Sequence, residues 1–200
     1  MATGAGDQVL RSASFNVLQT VNITLGTSAL VALGEGISSQ RFVWPVGAAN
    51  LAPAVYGGIL LFWTAKLFSE NHKNFADFGR GSAYAVFQLF MTCIAFLFLM
   101  AASFNVGNLS LSLVWLGSHF GTLVLWLVGL GLYHRFIGRD FDKEKYPFVW
   151  LGSSLLNVIL VSLAYVLIDD PLAVLAALAL VLANCIFDAY RSQTFLGGSA

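Results

Sequence analysis

The chain reads as long apolar stretches broken by short polar joints. A helix needs roughly 20 apolar residues to cross a bilayer. Stretches of that scale recur six times, over about Ser14–Gly34, Trp44–Ser69, Ser82–Ser103, Leu109–Phe136, Tyr146–Ile168 and Pro171–Tyr190. Leu172–Ile186 is apolar throughout except for Asn184. A membrane-barrel strand would instead alternate apolar and polar positions. The pattern therefore predicts an all-α, polytopic membrane protein with six transmembrane helices. Its divisions are a polar N-terminal segment (1–12), a six-helix domain (13–191) and a C-terminal tail (192–200).

Local signals refine the ends. Pro171 suits the first turn of helix six, where its missing N–H costs nothing. Asp169 and Asp170 just before it suit a cap facing the positive end of the helix dipole. Pro45 and Pro53 leave helix two open: Pro53 kinks it, or the span begins near Ala54. The N-terminus lacks a basic n-region followed by an apolar core and cleavage site, so the first span is expected to be retained.

Composition agrees. Of 200 residues, 58% are hydrophobic and 10% charged, against about 25% charged in a typical soluble domain. A sizeable extramembrane domain, a nucleic-acid binder and a disulfide-built secreted module are excluded. Ten Lys+Arg balance ten Asp+Glu, so placement matters more than the sum. With six spans, one side holds Arg11, Lys66, Lys73, Arg80, Arg135, Arg139, Lys143, Lys145 and Arg191, and the other only Arg41. The positive-inside bias puts both termini on the cytoplasmic side or its equivalent. This reading places Lys66 among the loop cations and leaves His119 as the one ionisable residue deep in a span. No span then holds a cation to compensate an anionic solute.

Candidate chemistry is sparse. Cys93 and Cys185 are far apart, with no CxxC pair. Metalloprotease, Walker, nucleophile-elbow and rhomboid-type patterns are missing, so an enzyme is not expected and no metal site is assigned. His119 is a candidate axial ligand, for instance to a pigment, or a proton relay; no cofactor is otherwise expected. The most polar span is the first. Asn16, Thr20, Thr24 and Thr27 share one helical face, which either lines a path or bonds to a neighbouring helix. Gln88, Ser118, Ser153, Ser154, Asn157 and Asn184 add neutral polar groups in other spans. Gly117 and Gly121 form a small-xxx-small pair that permits close helix packing.

Within Val55–Phe90, the pieces Tyr56-Gly57-Gly58-Ile59, Asn74 and Phe75, and Ser82 with Tyr84 resemble the acetate/succinate (YaaH-like) transporter family. The family's signature segment before helix one is absent. The resemblance implies six helices, cytoplasmic ends, a monocarboxylate solute and a constricting role for Tyr84. A second six-helix family, the amide and urea channels, shares the length and aromatic lining.

Two functions follow from these readings. The first is a small transporter or channel for a weakly charged solute such as acetate. Its path would run along helices one, two, three and five, lined by Asn16, Thr20, Thr24, Tyr84, Gln88, Ser153 and Asn157. The second is a non-catalytic accessory or scaffold subunit of a larger energy-transducing or pigment-containing membrane complex. Expected partners are the lipid bilayer, a small solute, and either further copies of the chain or other membrane subunits, with no nucleic acid.

Overall fold

The computed structural model describes residues 4–38, 51–76, 82–136 and 148–191. All six elements are helices: α1 (Gly4–Ser38), α2 (Leu51–Ala76), α3 (Ser82–Phe104), α4 (Leu109–Phe136), α5 (Phe148–Val166) and α6 (Pro171–Arg191). No strand occurs among the described residues. Among the described residues, three helical segments are long and apolar enough to cross a membrane: Leu109–Leu132, Phe148–Val166 and Pro171–Arg191. Val55–Ser69 in α2 and Leu89–Phe104 in α3 are shorter apolar segments.

The helices close a ring. α1 packs on α2 and α3, α3 on α4, α4 on α5, α5 on α6, and α6 returns to α2. The solvent-facing exterior is apolar, with Leu125, Ile159, Val166 and Leu172 all exposed. Several polar side chains, among them Asn22, Lys66, His119, Asn157 and Asp188, are buried instead. This inside-out distribution suits hydrocarbon surroundings, where polar groups must find partners within the protein.

Several ends form as the sequence predicts. Asp170 Oδ1 accepts from the Leu172 and Ala173 N–H groups at 3.1 and 3.2 Å, so it caps α6. Asn108 does the same for α4 through the Leu111 N–H at 3.1 Å. Pro53 falls in the first turn of α2, where no backbone donor is required. Pro45 lies outside the described residues.

α1 begins at Gly4, within the polar segment that precedes the first apolar stretch. Ala, Gln, Leu and Arg there favour helix, and hydropathy marks the span rather than the helix that carries it. Gly117 and Gly121 leave room at their positions. A Cβ on Gly117 would meet Val161 at an ordinary 3.6 Å, and one on Gly121 would meet nothing within 4 Å. The close approach is Gly36 of α1, where a Cβ would collide with the Ser103 carbonyl oxygen of α3.

Hydroxyls inside the bundle mostly bond back one turn, as Thr64 does to the Leu60 carbonyl at 2.8 Å and Ser103 to the Leu99 carbonyl at 2.8 Å. One cluster is tertiary. Ser112 Oγ donates to the Ala102 carbonyl. Its single proton is thus committed, so the Tyr56 hydroxyl, 2.8 Å away, donates to Ser112. This ties α2 to the α3–α4 turn.

Candidate functional site

The site is built where α2 and α4 pass the last turns of α6 and the first half of α5. On α2, Trp63 and Lys66 are three residues apart and share a face. On α6, Cys185 and Asp188 do the same. On α5, Trp150, Ser153, Ser154 and Asn157 form the buried stripe.

Lys66 Nζ lies 2.8 Å from Asp188 Oδ2, with the two side chains 0% and 1% exposed. Nζ also sits 4.7 Å from the ring centroid of Trp63 and 5.2 Å from that of Trp150. The ammonium is therefore held between two indole faces, whose quadrupoles attract a cation. Trp126 of α4 packs edge-on against Trp150 with centroids 5.8 Å apart.

This pair corrects the placement of Lys66 among the loop cations. Lys66 is a bundle residue, and the interior holds a lysine–aspartate ion pair. A lysine near a span end commonly extends to the headgroups. Here it turns inward because Asp188 lies across the α2–α6 contact. The ion pair sits about 4.5 Å of helix rise from the end of α6, three residues before Arg191. Burial of each ion costs several kcal/mol unless well paired, so neither is tolerated alone.

A neutral network adjoins the ion pair. Asn184 Nδ2 donates to Asn157 Oδ1 at 2.8 Å, Ser153 O at 3.0 Å and Ser153 Oγ at 3.1 Å. Asn157 Nδ2 reaches Cys185 Sγ at 3.6 Å. These bonds stitch α5 to α6 immediately beside Asp188.

His119 of α4 is fully buried. Its Nδ1 lies 2.8 Å from the Ala95 carbonyl of α3. A carbonyl only accepts, so Nδ1 carries the proton, and Nε2 of the neutral ring is an acceptor. Trp63 and Phe120 pack edge-on against the imidazole, with centroids at 6.0 and 5.4 Å. A pigment macrocycle at Nε2 would require these rings to move. Among the described residues no cluster of three His, Cys, Asp or Glu side chains has metal-site geometry.

Several buried polar atoms here have no hydrogen-bond partner: Trp63 Nε1, Trp126 Nε1, Trp150 Nε1, Ser154 Oγ and His119 Nε2. Leaving such a group unsatisfied costs about 1–3 kcal/mol. Two of these groups belong to Trp63 and Trp150, which flank the Lys66 ammonium.

The expected path residues divide into two groups that the structure does not bring together. Ser153 and Asn157 are buried beside the ion pair. Asn16, Thr20 and Thr24 lie on the exposed face of α1. Thr20 bonds to the Asn16 carbonyl and Thr24 to the Thr20 carbonyl, both at 2.9 Å. Tyr84 and Gln88 belong to the first turns of α3, and their side chains lie outside the described set. Sequence reasoning missed Lys66, Asp188, Trp63 and Trp150. The available signal was Asp188 itself, an acid in the last turn of an apolar helix, where the dipole disfavours it.

Compared with protein-family models, with curated proteins and with solved structures, the chain matches none.

Proposed function

We propose that the chain is a small six-span membrane transporter for a weakly charged solute, with monocarboxylates such as acetate as the favoured class. The observation that carries this reading is the Lys66–Asp188 pair, sealed in an apolar bundle and flanked by Trp63 and Trp150. Ionisable residues are expensive within a membrane, and they commonly mark solute paths and proton relays. A purely structural link between α2 and α6 could be made at less cost by apolar packing.

In this reading α1, α2 and α3 also cross the bilayer, and both termini share the cytoplasmic side or its equivalent. With Lys66 assigned to the bundle, Arg11, Lys73, Arg80, Arg135, Arg139, Lys143, Lys145 and Arg191 remain on that side, against Arg41 on the other. The bias keeps its direction. The likeness of Val55–Phe90 to the acetate/succinate family supports the same solute class, and Tyr84 keeps its proposed constricting role. Flux of labelled acetate and urea into proteoliposomes tests the reading. Acetate uptake above empty liposomes supports it, and no flux of either solute contradicts it.

A second reading, an accessory or scaffold subunit, is favoured by the exposed face of α1. Asn16, Thr20, Thr24 and Thr27 together place polar groups where lipid would otherwise lie, and such groups suit contact with another protein helix. His119 would be the pigment ligand in that case. Purification from native membranes separates the two. Copies of this chain alone support transport, whereas co-purifying subunits or visible absorbance support the scaffold.

A further inference from the structure

We propose that Lys66 is the binding site for a small carboxylate, which takes the place of Asp188 at the ammonium flanked by Trp63 and Trp150. The proposal deepens the transport reading and rests on it for the class of solute.

Several buried donors near Lys66 lack acceptors. Lys66 Nζ has Asp188 Oδ2 at 2.8 Å. Trp63 and Trp150 flank the ammonium and Trp126 packs on Trp150, and the indole N–H of each lacks an acceptor. Trp150 is the most exposed of the three, at 9%. The Ser154 hydroxyl, one turn along α5 from Trp150, is fully buried and likewise unmatched. The nearby acceptors are the Asp188 carboxylate and His119 Nε2. Buried indole and hydroxyl donors that lack acceptors, beside a fixed ammonium, are complementary to an anion. A carboxylate offers two oxygens with about four acceptor positions. The flanking indoles also give apolar surface to a short alkyl group. Full burial of Lys66 restricts the site to small anions.

Exchange of carboxylates at Lys66 has a consequence for protons. Once displaced, Asp188 has lost its counter-charge inside an apolar bundle, where a bare carboxylate is not tolerated. It therefore accepts one proton from the aqueous phase on the side the solute entered. When the anion leaves, Asp188 releases that proton and returns to Lys66. One carboxylate and one proton move together, with no net charge. The titratable groups around Asp188 are Lys66 on α2, His119 on α4 and Cys185 on α6, both of the latter within electrostatic range of Lys66. α5 faces the pair with the neutral Trp150, Ser153, Ser154 and Asn157.

The test is a binding titration on the purified full chain in detergent, read by intrinsic tryptophan fluorescence, with sodium acetate and sodium chloride at constant ionic strength. Asp188→Asn removes the internal competitor and is expected to bind acetate at least about tenfold more tightly than the parent chain. Ser154→Ala, a minimal change that removes one donor, is expected to bind severalfold more weakly. The charge-neutral double variant Lys66→Met/Asp188→Leu avoids an orphaned charge and is expected to show no saturable change. Chloride, with no second acceptor oxygen and no alkyl group, is expected to bind well below acetate in the parent chain and both single variants. The proposal is overturned if the double variant titrates like the parent, if neither the parent nor Asp188→Asn saturates, or if chloride matches acetate. Acetate binding of the expected pattern without flux in proteoliposomes contradicts transport and leaves the site standing. Flux unaffected by Asp188→Asn and Ser154→Ala contradicts the site and leaves transport standing.

Discussion

Asp188 of α6 holds Lys66 of α2 inside the bundle at 2.8 Å, with both side chains sealed from solvent. Removing either partner alone leaves an uncompensated buried charge, at a cost of about 3–5 kcal/mol. Lys66→Met and Asp188→Leu are each expected to lower the melting temperature sharply in detergent. The double variant is expected to regain most of the loss. Strongly additive losses in thermal unfolding would show that the two side chains do not act as a pair.

The α1–α3 crossing depends on Gly36, because a side chain there meets the Ser103 carbonyl rather than a flexible group. Gly36→Ala is expected to destabilise by about 1–3 kcal/mol through overpacking. Gly121→Ala, with nothing within 4 Å of the new Cβ, is expected to be neutral or stabilising by up to ~1 kcal/mol, since alanine favours helix over glycine. Melting curves of the two variants should therefore move apart. A Gly36→Ala protein as stable as its parent would place the crossing elsewhere.

Asp170 caps α6 through two backbone N–H groups. Asp170→Ala is expected to cost about 1 kcal/mol, whereas Asp169→Ala should cost less, since no cap bond is formed by it among those described. Comparing the two by chemical or thermal unfolding separates capping from a general loss of negative charge.

The α5–α6 stitch predicts coupling between Asn157 and Asn184, whose side chains meet at 2.8 Å. A double-mutant cycle of Asn157→Leu and Asn184→Leu is expected to give an interaction energy of about 0.6 kcal/mol, the average for such bonds between membrane helices. Zero coupling would mean that each amide finds another partner when its neighbour is removed.

Much of the fold is legible along the chain because hydrophobic run length and capping residues act locally. The limits of α4 were readable at both ends, and the Asn108 cap explains its start. The start of α1 was not, because a helix continues past the apolar stretch wherever residues favour it. The candidate site was harder to read for a related reason. Lys66 near the end of an apolar run has the same sequence appearance whether it extends to headgroups or turns inward. Only the packing of α2 on α6, which brings Asp188 opposite, decides between them. The polar stripe of α1 shows the same limit. Spacing places Asn16, Thr20 and Thr24 on one face, but tertiary contacts turn that face outward, away from Ser153 and Asn157.

Proteoliposome uptake of labelled acetate by the parent chain and by Lys66→Met/Asp188→Leu, run side by side, is the most direct test of the ion pair as the transport centre. The account predicts uptake above empty liposomes for the parent and uptake at the empty-liposome level for a folded double variant. A double variant that carries acetate at the parental rate would contradict it.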